Sequence, residues 1–217
     1  MIEAFLFDMD GTLLDTEVLW VEATRDYLRD NGCSVTPDEA LTMVYGIDWA
    51  DICEDILRRF PHLDLTPRAI ADAVTPYFAL LRDTRDVRIA DSIGLFKRLS
   101  RDYPVAIVSG SDRRSVAHGI ELMDIAPHVR FFLAAEDYAP GKPHPACYRM
   151  AAERLALPPE RCLAFEDSAA GIRAAKGAGL HCVALARKDR PRQNVGEADL
   201  ALESLADFSV DEFNARF

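Results

Sequence analysis

Apolar residues along most of this chain follow two alternating patterns. Short compact runs rich in Val, Ile, Leu, Phe and Ala are typical of strands buried on both faces. They occupy residues 3–8, 104–109, 131–134, 162–166 and 181–185. Between these runs, apolar residues recur at helical spacing over 90–101, 112–123, 145–156 and 168–178. The alternation predicts an α/β fold with a parallel sheet and helices on both of its faces.

The first two predicted strands are separated by far more residues than one crossover helix needs. Four helical patterns fill this interval, near residues 16–31, 37–44, 48–60 and 66–83. We therefore expect an inserted helical cap domain at residues 15–87. The core domain would comprise residues 1–14 and 88–217, with hinges near 14–17 and 83–89.

Two carboxylates follow the first apolar run directly. A strand that ends at Asp8 places this carboxylate at the carboxyl edge of the sheet, pointing outward. Asp10, two residues later, projects on the same side. One carboxylate could attack phosphorus while the other manages the proton of the leaving group. Gly11 permits a sharp turn, and Thr12 offers a hydroxyl and an amide to an anion. An isolated pair of this kind is also typical of an Asx-rich turn, so both interpretations stay open at this point.

Three downstream segments carry further polar residues at predicted strand ends or in the loops beside them. They are Ser109-Gly110 after an apolar run, Lys142 within a Gly-Lys-Pro-His-Pro segment, and Glu166-Asp167 at the end of another run. Each has a structural explanation when taken singly, as a helix cap, a solvated loop charge or acids favoured by a helix dipole.

Taken in order with the Asp8 segment, these motifs resemble the haloacid-dehalogenase-like hydrolases. The resemblance covers nearly the whole chain. It is strongest to the branch with a small helical cap, which contains sugar-phosphate phosphatases and beta-phosphoglucomutase-like enzymes. The resemblance implies a Rossmann-like parallel-sheet core with a helical cap inserted after the first strand. It also implies hydrolysis of a small phosphorylated metabolite, such as a sugar or sugar-acid phosphate, through an aspartyl phosphate.

By this resemblance, the catalytic residues are Asp8, Asp10 and Lys142. Asp8 would attack phosphorus, and Asp10 would protonate the leaving alkoxide and later take a proton from water. Lys142 would offset negative charge as a compact cation. Ser109 and the Gly110 amide would donate hydrogen bonds to the phosphoryl oxygens.

The resemblance also implies a Mg²⁺ cofactor. Its ligands would be the Asp8 carboxylate, the Asp10 backbone carbonyl and Asp167, with Glu166 directly on the metal or behind it. Mg²⁺ suits a site built from oxygen ligands.

Other chemistries within the same family fit the sequence less well. Dehalogenase relatives lack an acid at the position of Asp10, and the phosphonate-cleaving branch needs a cap lysine, whereas no lysine occurs between Met1 and Ile93. Sugar phosphomutases typically carry histidine and arginine where this chain has Trp20 and Trp49. Hydrolysis is therefore preferred, with a phosphomutase as the alternative and a catalytically silent binding protein as the remote one.

Substrate specificity is harder to locate. Glu17 and Trp20, at the start of the first cap helix, could face the leaving group, and packing within the cap explains them equally well.

Composition limits the classes of binding partner and the cellular compartment that we expect for this protein. The 217 residues carry a net charge of -11, which disfavours nucleic acid and anionic membranes and favours a small metabolite. We expect a cytoplasmic protein because no apolar stretch is long enough for a membrane helix and no signal pattern is present. The five cysteines lack metal-binding spacing and are expected to be reduced. The oligomeric state, monomer or small homo-oligomer, stays open.

Overall fold

The computed structural model describes residues 1–47 and 49–216. Its contacts divide the chain into two compact units. The first consists of Met1–Leu14 and Arg88–Phe217, and the second of Asp15–Val87.

Strands and helices alternate along the chain outside one helical interval. The strands are β1 (Ala4–Phe7), β2 (Val105–Val108), β3 (Phe132–Leu133), β4 (Cys162–Glu166), β5 (His181–Leu185) and β6 (Leu200–Leu202). The helices are α1 (Glu17–Asp30), α2 (Pro37–Val44), α3 (Trp49–Arg59), α4 (Pro67–Thr84), α5 (Ala90–Leu99), α6 (Arg113–Leu122), α7 (Ala146–Leu155), α8 (Ala169–Gly177) and α9 (Val210–Arg216). Short 3₁₀ turns connect several of them.

The strands of the first unit form one parallel sheet in the order β3-β2-β1-β4-β5-β6. The predicted α/β fold class is therefore confirmed. Strand β1 lies between β2 and β4, so the chain builds outward on one side of β1 and then continues on the other. Ligands of open parallel sheets bind at the carboxyl ends of the strands where the order reverses in this way.

Both faces of the sheet are covered. On one face, Phe7 stacks on Phe165 at 4.5 Å and contacts Phe96 of α5 at 4.9 Å between ring centroids. On the other face, Ala4 and Leu6 belong to a buried cluster that includes residues of α7 and α8. Because successive strand residues point to opposite faces, burial on both sides explains the uninterrupted apolar runs in the sequence.

The second unit is a helical bundle with its own apolar core. Helix α2 begins with a capping box, in which the Thr36 side chain accepts from the Glu39 amide and the Glu39 carboxylate accepts from the Thr36 amide. The core includes the fully buried side chains of Leu28, Ile56 and Ile70. An independent hydrophobic core is what allows an inserted segment to fold as a unit.

The sequence pattern missed two elements. Strand β6 has only three residues, its middle residue Ala201 is exposed, and it lies at the edge of the sheet. Helix α9 has seven residues, of which only Phe213 is buried. Neither element has enough buried apolar residues to produce a recognisable strand or helix pattern in the sequence. The helix predicted over 48–60 is observed from Trp49 onward, and Asp48 lies outside the described residues. Within the described part of the chain, each helix is too short or too polar to cross a membrane.

Two helices of the first unit carry an interior glycine in contrasting surroundings. A Cβ added at Gly94 of α5 would have no heavy atom within 4 Å, whereas at Gly171 of α8 it would lie 1.9 Å from Glu166 Oε2. We expect Gly171→Ala to lower the free energy of unfolding by about 1–3 kcal/mol through overpacking. The matched control Gly94→Ala should leave it unchanged or raise it by up to about 1 kcal/mol. Urea denaturation of both variants measures the difference, and equal stability would contradict the close packing at Gly171.

Candidate active site

The central strands bring the predicted polar residues to one edge of the sheet. Phe7 of β1 is in register with Ile107 of β2 and Phe165 of β4. The next residue, Asp8, continues the pairing by donating its amide to the Phe165 carbonyl at 3.0 Å. Asp8, the start of the loop after β2 and the end of β4 therefore meet at adjacent strand ends.

Lys142 joins these ends. Its Nζ donates to Asp8 Oδ1 at 2.6 Å, to Glu166 Oε1 at 2.6 Å and to the Val108 carbonyl at 3.0 Å. The side chain is only 11% exposed. Burial opposes the charge on this amine, but the neighbouring carboxylates of Asp8 and then Glu166 outweigh burial and raise the pKa of Lys142 well above its usual value. The ammonium is therefore a permanent cation shared by two acids.

The Asp8 carboxylate is buried and only half satisfied. Its Oδ2 atom has no hydrogen-bond partner within residues 1–47 and 49–216. Burial raises the pKa of Asp8 to about 8. Lys142 lowers this pKa and so offsets part of the effect, whereas Glu166 and Asp10 raise it further. Lys142 thus binds Asp8 Oδ1, whereas Oδ2 accepts no hydrogen bond from the described residues.

Glu166 is surrounded by donors from the protein itself. Besides Lys142, Tyr148 donates its hydroxyl to Glu166 Oε1 at 2.7 Å, and Ser168 donates to Oε2 at 3.3 Å. The carboxylate also lies directly against Gly171. Burial, and then the charge of Glu166, raise the pKa of Tyr148 well above its usual value, so this phenol stays a neutral donor.

Asp10 is held by hydroxyls at the end of β2. Its Oδ2 accepts from Ser109 Oγ at 3.3 Å and from Ser111 Oγ at 2.7 Å. Ser109 is fully buried and also accepts from the Ser111 amide at 3.0 Å, while Gly110 between them is exposed. Tyr138 fixes this turn by donating its hydroxyl to the Ser109 carbonyl at 2.8 Å.

Three carboxylates could hold a metal ion. Asp8, Glu166 and Asp167 each place an oxygen within 4.8 Å of the others. Gly11, at φ +88°, allows Asp167 to approach so closely that a Cβ would lie 2.1 Å from Asp167 Oδ2. Within residues 1–47 and 49–216, the three acids lie close to one ammonium, that of Lys142, and the buried Asp8 Oδ2 has no hydrogen-bond partner. All three side chains offer oxygen ligands. These observations fit a hard divalent cation such as Mg²⁺.

The predicted site residues fall into two groups. The core candidates all lie in the first unit. Asp8, Asp10, Ser109, Gly110, Glu166 and Asp167 lie at or just after the ends of β1, β2 and β4, and Lys142 lies in the loop before α7. Glu17 and Trp20 lie in the second unit. There, Glu17 Oε2 accepts from the Gly46 amide at 3.0 Å, and Trp20 stacks on Phe78 with 3.9 Å between ring centroids.

Sequence reasoning missed the residues that support the core candidates. Tyr148, Tyr138, Ser111 and Gly171 each touch a candidate residue, as described above. The sequence did indicate a hydrogen bond at Tyr148, because the hydroxyl of a tyrosine on the apolar face of a helix needs a partner. The sequence could not identify that partner.

The chain is similar to proteins of one known family. The model of the haloacid dehalogenase-like hydrolase family matches residues 2–179. Hexitol phosphatase A of Escherichia coli (strain K12) is 30% identical over 215 residues, 96% of this chain and 94% of that protein. Protein CbbY of Cereibacter sphaeroides is 35% identical over 222 residues, 95% of this chain and 94% of that protein.

Solved structures extend the similarity to the fold. Two crystal structures of CbbY from Rhodobacter sphaeroides, one in complex with phosphate and one of a mutant with xylulose-(1,5)bisphosphate, each match at TM-score 0.76 and 28% identity. Each match covers 95% of this chain and 96% of CbbY. The chain belongs to the haloacid dehalogenase-like hydrolases.

Proposed function

We propose that the protein is a Mg²⁺-dependent phosphatase that hydrolyses a small phosphorylated sugar or sugar acid through an aspartyl phosphate at Asp8. The observation that carries the proposal is the asymmetry of the Asp8 carboxylate. Lys142 binds Oδ1, whereas the buried Oδ2 has no partner among the described residues. A carboxylate oxygen that is fixed in place and free of hydrogen bonds suits a nucleophile.

In the first step, Asp8 attacks phosphorus in line as the bond between phosphorus and the ester oxygen breaks. Asp10 gives its proton to the departing alkoxide, so that an alcohol leaves. Lys142 offsets the negative charge that gathers on the transferring oxygens. Ser109 and the exposed Gly110 amide donate hydrogen bonds to the phosphoryl group, which requires Ser109 to release Asp10.

In the second step, water attacks the phosphorus of the aspartyl phosphate and Asp10 accepts its proton. The P–O bond to Asp8 breaks, which regenerates the Asp8 carboxylate and releases phosphate. The metal would be held by Asp8, the Asp10 carbonyl and Asp167, with Glu166 on the metal or behind it. When bound, it would supply positive charge that neutralises the acids and the phosphate.

The substrate class rests on the relatives. One relative is named as a hexitol phosphatase, and a CbbY mutant has been crystallised with a ketopentose bisphosphate. We infer that the second unit, residues 15–87, acts as a cap that selects the leaving group, with Glu17 and Trp20 as candidate specificity residues. Phosphorylated sugars, polyols and sugar acids are therefore the first substrates to test.

A phosphomutase is the second candidate, and the charges of the second unit oppose it. A mutase must hold a bisphosphate intermediate, which calls for unengaged cations. Here the Trp20 ring contacts Phe78 and Trp49, with 3.9 Å and 4.9 Å between ring centroids, and the three residues form an aromatic cluster. Each arginine of this unit also has an acidic partner within it. The pairs are Arg25–Asp26, Arg29–Asp30, Arg58–Asp55, Arg59–Asp55, Arg68–Asp72, Arg82–Asp83 and Arg85–Glu22.

The nucleophile and the acid can be separated by conservative variants. Asp8→Asn should abolish phosphate release, because the amide is nearly isosteric but a poor nucleophile. Asp10→Asn should lower kcat by about 10² or more through loss of proton transfer. Phosphate release measured with a panel of phosphorylated sugars, polyols and sugar acids tests both variants. Normal turnover by Asp8→Asn would end the aspartyl-phosphate hypothesis, and no turnover by the unmodified protein on any ester would favour a silent binding protein.

Metal dependence is the next prediction. EDTA should abolish phosphate release and Mg²⁺ should restore it. Asp167→Ala should raise the Mg²⁺ concentration for half-maximal activity more than Glu166→Ala does, because Glu166 already accepts hydrogen bonds from Lys142, Tyr148 and Ser168. Mg²⁺ titrations of both variants provide the comparison. Full activity in metal-free buffer would rule out the proposed ligands.

Hydrolysis and isomerisation can be compared on a single substrate, beta-glucose 1-phosphate. We expect phosphate release without any bisphosphate activator, and little glucose 6-phosphate when glucose 1,6-bisphosphate is added. Coupled assays for phosphate and for glucose 6-phosphate measure both products. Efficient isomerisation with negligible phosphate release would overturn the hydrolase proposal and leave the chemistry of Asp8 intact.

A further inference from the structure

We propose that Tyr148 is a positioning residue for Lys142 and acts through Glu166. The inference rests on the proposed phosphatase function, because it assigns Tyr148 a part in the chemistry at Asp8. The Tyr148 hydroxyl donates to Glu166, so we assign this residue a supporting role and no role as nucleophile or acid.

Lys142 needs a counter-charge that persists through the reaction. Its ammonium has three donor hydrogens and three acceptors, Asp8, Glu166 and the Val108 carbonyl. Phosphorylation of Asp8 would remove one of these two carboxylate charges. Glu166 is then the carboxylate that keeps the lysine aimed at the reacting oxygens.

The position of Glu166 depends in turn on Tyr148. The phenol donates to Oε1 at 2.7 Å, the same oxygen that Lys142 contacts, whereas Ser168 reaches Oε2 at a longer 3.3 Å. Gly171 packs directly against the Glu166 carboxylate, because any side chain at that position would overlap it. Tyr148 thus fixes the oxygen that fixes the lysine.

The contribution of the Tyr148 hydroxyl can be tested separately from that of its ring. Tyr148 is fully buried on α7, and Lys142 Nζ lies 5.3 Å from its ring centroid, within range of a cation–π interaction. Phenylalanine at this position would keep both the packing and the ring face. Tyr148→Phe therefore removes only the hydrogen bond to Glu166.

The experiment measures steady-state phosphate release from para-nitrophenyl phosphate with saturating Mg²⁺, with each rate corrected for the folded fraction found by circular dichroism. We expect Tyr148→Phe to lower kcat about tenfold, the scale of one hydrogen bond to a charged group, with KM within about twofold of the unmodified value. The Mg²⁺ concentration for half-maximal activity should change less than in Asp167→Ala, because the variant leaves Asp8 and Asp167 untouched.

Tyr103→Phe is the matched control. Tyr103 precedes β2, at the opposite end of that strand from the site, and its ring packs edge-on against Phe5 at 5.1 Å. This variant should keep unmodified kcat and KM.

A double-variant cycle shows whether Tyr148 acts through Glu166. In a Glu166→Ala background, Tyr148→Phe should reduce kcat by less than twofold further, because no carboxylate remains to be positioned. Glu166→Leu, whose side chain also lacks a hydrogen-bond acceptor, replaces Glu166→Ala in the cycle if the alanine variant does not fold. A full tenfold loss in the Glu166→Ala background, or unmodified kcat in the single variant, would overturn the inference. Failure of the unmodified protein to release phosphate would instead overturn the proposed function.

Discussion

The active-site region depends on one buried ammonium shared by two carboxylates. Lys142 contacts Asp8 and Glu166 at 2.6 Å each, from a side chain that is 11% exposed. Removing one partner of a buried ion pair leaves an uncompensated charge in a poorly solvated place, which is far costlier than losing a surface pair. The lysine must therefore lie where both carboxylates can reach it. That requirement ties the ends of β1 and β4 to the loop that carries Lys142.

The parallel sheet makes this convergence possible. Parallel strands end at a common edge, and β1 lies between β2 and β4, so residues distant in sequence become neighbours. The backbone supports the same arrangement. Lys142 also binds the Val108 carbonyl, and Tyr138 binds the adjacent Ser109 carbonyl, so one loop clamps two consecutive carbonyls at the end of β2.

The residues that could be predicted are those whose role depends on a strand end. Asp8 and Glu166 follow apolar runs, and their placement at the sheet edge needs only the fold class. Tyr148 and Gly171 could not be predicted, because their significance lies in a contact with Glu166 that only the packing of α7 and α8 against the sheet creates. Strand β6 was not predicted for a different reason. Its three residues are partly or fully exposed and are too few to show an alternating apolar pattern. The roles of Glu17 and Trp20 stay predictions, since both lie in the second unit.

The balance of charges at the site supports the proposal that a metal ion takes part in phosphate-ester hydrolysis. The chain has a net charge of -11, and its buried lysine is already shared by two of the three clustered carboxylates. At the proposed site, an incoming phosphate ester would meet acids that outnumber the one buried cation. A divalent cation beside Asp8 and Asp167 would cancel the negative charge that the single lysine leaves uncompensated among the three clustered carboxylates. Burial, and to a smaller extent the nearby acids Glu166 and Asp10, raise the pKa of Asp8, and a bound cation would favour the ionised, nucleophilic carboxylate.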